Sequence, residues 1–139
     1  MRVFLDANVL FTAAHNPDGL SRLLFDLGRH NLVTLISSHL AVAEARANLR
    51  LNAPDKAGAL EPLVSRLDIV DTPALAAPLL RLPDDDQLIF GAALAARATH
   101  LLTGDKKHFG PHFNDPKRTG GIRIQTVRAF LSDGFSLKG

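Results

Sequence analysis

A chain of 139 residues, 46% hydrophobic and 22% charged, has the size and apolar content of one globular domain and leaves no room for two of ordinary size. No apolar run approaches the roughly 20 residues of a membrane-spanning helix, Arg2 precedes too few apolar residues to be an export signal, and the absence of cysteine excludes disulfides, thiolate catalysis and sulfur-ligated zinc, so a reduced, cytoplasmic setting is expected. Sixteen bases against 14 acids leave a net charge of only +2, but eleven of the bases are Arg, whose guanidinium fork suits phosphate; an Arg-favouring codon bias accounts for that composition equally well.

Residues 2–5 (RVFL) end abruptly at Asp6, the pattern of a buried strand delivering polar groups to its carboxyl end. A helix follows as far as the break at Pro17 and Gly19, and Leu20, Leu23, Leu24 and Leu27 then recur at helical spacing up to Gly28. Residues 32–36 (LVTLI) predict a second strand. Ser37 and Ser38 are cap residues for a helix with an apolar stripe of Leu40, Ala43, Ala47 and Leu51, stopped by Pro54. Asp55 caps a further predicted helix through Leu60, Leu63, Val64 and Leu67. Residues 68–70 (DIV) are a weaker strand, and Pro73 opens an Ala/Leu-rich helical segment reaching Leu80. After Pro83 and the run Asp84, Asp85, Asp86, an Ala-rich helix is expected over 87–97, then a strand over 100–103 (HLLT). A loop rich in Gly, Pro and bases covers 106–121, a last strand 121–126 and a last helix 127–131. Strands alternating with helices predict a parallel sheet covered on both faces.

In such sheets ligands bind beyond the carboxyl ends of the strands, which gives Asp6 and Asp105 weight. Asp86 opens the helix leading to the strand before Asp105, and Glu44 lies on the helix after the second strand. Glu44 has no cation at i+4, where Asn48 stands, and its nearest bases, Arg46 and Arg50, point largely to another helix face. Four acids gathered above one sheet edge repel one another, and a hard divalent cation is the simplest relief. One ion or two would position a water and stabilise charge developing on a phosphodiester. Setting those four aside leaves ten acids against 16 bases, with Arg46, Arg50, Lys106, Lys107, Lys117, Arg118, Arg123 and Arg128 as candidates for holding a polyanionic backbone.

His108 and His112, in a proline-containing loop without cysteine, are surface residues rather than a metal pair. Phe4, Phe11, Phe25 and Phe90 belong to the core, and 6% aromatic content without Tyr or Trp argues against a base-stacking platform. A phosphate-accepting receiver would need paired acids after the first strand, a dehalogenase-like phosphatase a second Asp where Asn8 stands, and a nucleotide-binding module a Gly-rich loop, which is missing.

The segments VFLDANVL, SSHLAVAEARANL and PDDDQLIFGAALAARATHLLTGDKKHF, in this order over roughly residues 2–110, resemble the PIN domain family and, within it, VapC-like toxins. The resemblance implies a three-layer α/β/α sandwich around a mainly parallel sheet of about five strands, with the whole chain forming one nuclease domain. It implies an endoribonuclease dependent on Mg²⁺ or Mn²⁺ whose metal-binding and catalytic acids are Asp6, Glu44, Asp86 and Asp105. Asn8 and Thr103 take the places of supporting polar residues. Asp84 and Asp85 stay open: a one-residue change in helix start brings Asp85 to the site, while Asp84 caps the helix or faces solvent. The implied partners are an RNA substrate, a small antitoxin and a second copy of the chain, with no membrane; the alternative is a catalytically silent module that binds RNA or protein.

Overall fold

In the computed structural model, which describes residues 1–73 and 80–136, the short apolar segments align into one five-stranded sheet. Strand β1 (Arg2–Leu5) is central, between β2 (Thr34–Ser38) and β4 (His100–Leu102), with β3 (Asp68–Val70) and β5 (Arg123–Gln125) at the edges. All four pairings are parallel, and β1 sets the register for both neighbours, Val3 lying opposite Leu35 on one side and His100 on the other. A central parallel strand is covered on both faces, and Val3, Phe4 and Leu5 are fully buried.

Among the described residues, six α-helices cover the sheet: α1 (Ala7–His15), α2 (Leu20–Arg29), α3 (His39–Asn52), α4 (Leu60–Val64), α5 (Asp84–Ala95) and α6 (Val127–Ser136). The crossovers from β1 to β2 and from β2 to β3 run the same way along the sheet, and a right-handed sense places α1 to α4 on one face. Accordingly α1 packs on α2, α3 and α4. The return to β4 runs the opposite way and lays α5 on the other face. This reversal makes the gap between the carboxyl ends of β1 and β4 the switch point of the sheet, where a crevice opens. No helix among the described residues is long and apolar enough to cross a membrane.

Several boundaries differ from those predicted, each for a local reason. Strand β2 begins at Thr34 and runs through both serines: Ser38 caps α3 by accepting the Ala41 N–H at 3.1 Å, whereas Ser37 spends its hydroxyl on the Leu5 carbonyl at 2.8 Å. Gly28 does not end α2. It lies inside the helix because a Cβ there would stand 3.2 Å from Leu35 on β2, and the chain turns away only at Asn31, in the left-handed region at φ 59°. Leu20 and Leu23 of the expected α2 stripe are exposed, while Leu24 and Phe25 are buried.

The buried face of α3 is Ala41, Val42, Ala45 and Leu49, not the predicted stripe, and Leu51 is 80% exposed. In a helix this rich in alanine, two apolar stripes slightly offset from each other satisfy helical spacing, and packing against α1 selects between them. The helix expected after Asp55 is a 3₁₀ segment over Pro54–Ala59 followed by the short α4, with Asp55 inside the first turn rather than capping it. Helix α5 starts at Asp84 rather than Gln87. The helix predicted after Pro73 falls largely outside the described residues. Strands β4 and β5 are shorter than expected and α6 longer, and a 3₁₀ turn at Gly110–His112 interrupts the long loop. Phe4, Phe25 and Phe90 are buried as expected, whereas Phe11 is only partly covered and stacks on His15.

Candidate metal centre

The site starts from the last residue pairings of β1 and β4. Asp6 follows β1 immediately and caps α1, its Oδ1 accepting the Ala7 N–H at 2.7 Å. Its Oδ2 accepts from the Thr103 hydroxyl at 2.8 Å and from Asn8 Nδ2 at 3.4 Å. Thr103, fully buried beyond β4, also accepts from Asn8 Nδ2 at 3.2 Å and from the Asp105 N–H at 3.0 Å, so its hydroxyl uses its single donor and both lone pairs. Asn8 closes the network by accepting the Gly104 N–H at 2.7 Å. Asn8 and Thr103 therefore tie the end of β1 to the end of β4 and hold Asp6 in place.

The other acids come from helix segments above this crevice. With Pro83 at the N-cap, Asp84, Asp85 and Asp86 occupy the first turn of α5, where three carboxylates are favoured by the helix dipole. Asp84 is exposed and does not cap the helix. Asp85 is exposed too, but its charge reaches Glu44 and Asp86; Asp86 is the one turned inward, its side chain 19% exposed. Gln87 anchors the turn by donating from Nε2 to the Leu80 carbonyl. Glu44 is half-buried on α3.

The electrostatics show that the predicted acids are brought together. Burial pushes Asp6 above the usual carboxylate range against the pull of its Thr103 and Ala7 hydrogen bonds, and the Asp105 charge adds to the rise. Glu44 is raised by burial and then by the charges of Asp6, Asp85 and Asp86. Asp86 is pushed up to about 6 by burial and then by Asp6 and Asp105. Asp105 goes the other way: burial, its largest single influence, would raise it, but the His108 amide and ring and the Lys107 amide together outweigh burial and hold it low.

His108 is the residue that sequence reasoning set aside. Its backbone N–H donates to Asp105 Oδ1 at 3.0 Å, and its ring Nδ1 lies 2.9 Å from Asp105 Oδ2 and 3.5 Å from Asp86 Oδ2. The available signal was the i, i+3 spacing of Asp105 and His108 directly after a strand end. One donor atom each from Asp86, Asp105 and His108 lies within 4.8 Å of the others, a spacing that fits a single divalent ion, and the carboxylate and imidazole donor set suits a hard-to-borderline cation.

The basic candidates separate. Lys106 and Arg128, both exposed, line a groove of about 600 Å³ that also contacts Asn8, Thr103 and Asp105. Arg46 is engaged with Glu61, Nε to Oε2 at 3.0 Å and Nη2 to Oε1 at 2.9 Å, and the charge of Arg50 also acts on Glu61. Lys107, Lys117, Arg118 and Arg123 are exposed, Arg118 lying 3.7 Å from Asp115.

Fold and site together define an α/β protein with crowded acids at the switch point of a parallel sheet. A family model described as the PIN domain matches residues 2–107, and the chain belongs to that family. In fold it is similar to DNA-bound VapBC from Salmonella typhimurium, with 20% identity, a TM-score of 0.65, and coverage of 91% of this chain and 98% of that one. It is similar also to VapBC2 from Rickettsia felis bound to a promoter DNA fragment, with 21% identity, a TM-score of 0.63 and the same coverage. VapBC-1 from nontypeable Haemophilus influenzae is a further neighbour, with 16% identity, a TM-score of 0.55 and coverage of 92% and 99%. No curated protein matches the sequence.

Proposed function

We propose that the protein is a divalent-metal-dependent endoribonuclease that hydrolyses RNA phosphodiester bonds at Asp6, Glu44, Asp86 and Asp105. One observation carries this reading: beside the crevice where Thr103 and Asn8 hold Asp6, Asp86, Asp105 and His108 bring one donor atom each within 4.8 Å of the others, and a cation would relieve the burial and repulsion that raise Asp6, Glu44 and Asp86. A bound Mg²⁺ or Mn²⁺, one ion or two, supplies Lewis acidity toward the phosphodiester and activation of the attacking water. Asp6, held by Thr103 and Asn8, presents a pre-oriented carboxylate, and Asp86, Asp105 and Glu44 complete the acidic set. Lys106 and Arg128 line a groove that also contacts Asn8, Thr103 and Asp105, and there they hold the RNA backbone.

The test is cleavage of a mixed-sequence single-stranded RNA by purified protein with Mg²⁺ or Mn²⁺. Controls are EDTA and the Asp6→Asn and Asp86→Asn variants prepared in parallel. Metal-dependent cutting that both variants lose supports the reading. Equal cutting by wild type and variants overturns it, and RNA binding without cutting favours a silent binding module.

The family membership and the VapBC neighbours support a second element of the proposal, a toxin restrained by an antitoxin partner; that it is cytoplasmic and homodimeric is part of the proposal. Expression of the wild type, but not of Asp6→Asn, is expected to arrest growth, with relief by the product of the adjacent gene.

A further inference from the structure

We propose that His108 is a nitrogen ligand of the cation held at Asp86 and Asp105, and that it biases this position toward Mn²⁺ over Mg²⁺. The inference rests on the metal-dependent reading above and adds a donor from outside the four acids. Its first support is spacing. Adjacent ligands of an octahedral ion with bonds of about 2.1 Å stand about 3 Å apart. His108 Nδ1 is 2.9 Å from Asp105 Oδ2 and 3.5 Å from Asp86 Oδ2, near the spacing of neighbouring positions in one coordination shell, and one donor atom of each residue lies within 4.8 Å of the others.

The second support is that the turn carrying the ring is held in place. The turn after β4 is fixed at both ends: Asp105 Oδ1 accepts the His108 N–H at 3.0 Å, and its carbonyl accepts the N–H of Phe109 at 3.2 Å. Phe109 is fully buried and anchors the turn in the core, while the His108 side chain stays 38% exposed, within reach of a cation entering from solvent. The ring Nδ1 here hydrogen-bonds Asp105 Oδ2, and moving that proton to Nε2 would free the Nδ1 lone pair for a metal.

The selectivity follows from donor chemistry. Mg²⁺ takes oxygen ligands and gives up its waters reluctantly, whereas imidazole nitrogen is a good donor to first-row transition ions. Two carboxylates serve either ion; the added nitrogen favours Mn²⁺.

The experiment titrates Mn²⁺ into the full chain in Mg²⁺-free buffer and follows it by electron paramagnetic resonance and spin-echo envelope modulation. Expected is a ¹⁴N coupling on the bound Mn²⁺ that changes to the ¹⁵N pattern when the wild type is labelled with ¹⁵N-histidine. The coupling should vanish in His108→Gln and persist in His112→Gln. In His108→Gln the Mn²⁺ affinity should fall on the order of tenfold, with Mg²⁺ affinity, measured by competition, changed less than about twofold. The isotope substitution leaves folding untouched and identifies the donor as a histidine, and the His108→Gln and His112→Gln pair assigns which one. Stoichiometric Mn²⁺ binding without nitrogen coupling, or coupling retained in His108→Gln, overturns the role of His108 and leaves the metal-dependent reading standing. Failure of the wild type to bind Mn²⁺ at all overturns that reading as well.

Discussion

Asp86→Asn should make the metal-free protein more stable at pH 8 while removing its response to metal. Burial, then the charges of Asp6 and Asp105, lift Asp86 from 3.8 to about 6. The folded protein therefore holds this proton more tightly than the unfolded chain does. The stabilisation is fully present below about pH 4 and is lost as the pH rises through about 6. Asparagine is neutral throughout and close in shape, so it avoids that loss. The full displacement is worth about 3 kcal/mol. The attraction of His108 is already contained in this net rise, and solvent reaching the side chain reduces the expected gain to about 1–2 kcal/mol. At a urea dependence of about 2 kcal/mol per molar, the unfolding midpoint in EDTA at pH 8 should rise by about 0.5–1 M, and the two proteins should converge near pH 4. Added Mn²⁺ should then raise the wild-type midpoint and leave the variant unchanged. A variant equal to or less stable than wild type at pH 8 would refute the reasoning, because it would mean that the α5 N-terminus and His108 stabilise this carboxylate more than its acidic neighbours strain it.

Thr103→Val keeps the shape of a buried side chain but strips hydrogen-bonding partners from Asp6, Asn8 and the Asp105 amide; a loss of about 2–4 kcal/mol in urea unfolding is expected, with Thr103→Ser recovering most of it. Leu49→Ala should cost about 2–5 kcal/mol and Leu51→Ala less than about 0.5 kcal/mol, and equal costs would contradict the observed face of α3. Lys106→Ala should weaken RNA binding and lower the slope of log affinity against log salt by about 0.7, one phosphate contact on a single strand. Arg46→Ala, which breaks an exposed pair with Glu61, should change stability by less than about 1 kcal/mol and leave that slope unaltered.

What could be read from the sequence was whatever a short local pattern determines. An apolar strand that stops at an acid announces Asp6 and Asp105 because a buried strand has few places for a charge, and the reversal of strand order puts both beside one crevice. Glu44 stood out for want of a helical cation. Other features depend on contacts distant in sequence. The buried face of α3 is chosen by α1, and Arg46 meets Glu61 fifteen positions away only because α3 and α4 are neighbours. Three consecutive aspartates all suit a first helical turn, so which of them turns inward depends on Pro83 taking the cap. His108 was hidden by its setting, since a loop rich in Gly and Pro gives no periodicity from which to judge direction. A backbone hydrogen bond to Asp105 swings its ring back toward the acids.

The two halves of the site are stabilised differently, and this bears on how it works. Around Asp6 the network is closed: Thr103 uses its donor and both lone pairs, Asn8 both donates and accepts, and the amides of Ala7, Gly104 and Asp105 all find partners. Around Asp86 and Glu44 it is open, with carboxyl groups on two helices raised by burial and by one another. A closed network fixes position in advance, whereas a raised, partly solvated carboxyl responds strongly to an arriving positive charge. Substitutions at Thr103 and Asp86 should therefore shift stability in opposite directions while both impair metal-dependent chemistry. A site retained only for packing would show one sign at both positions.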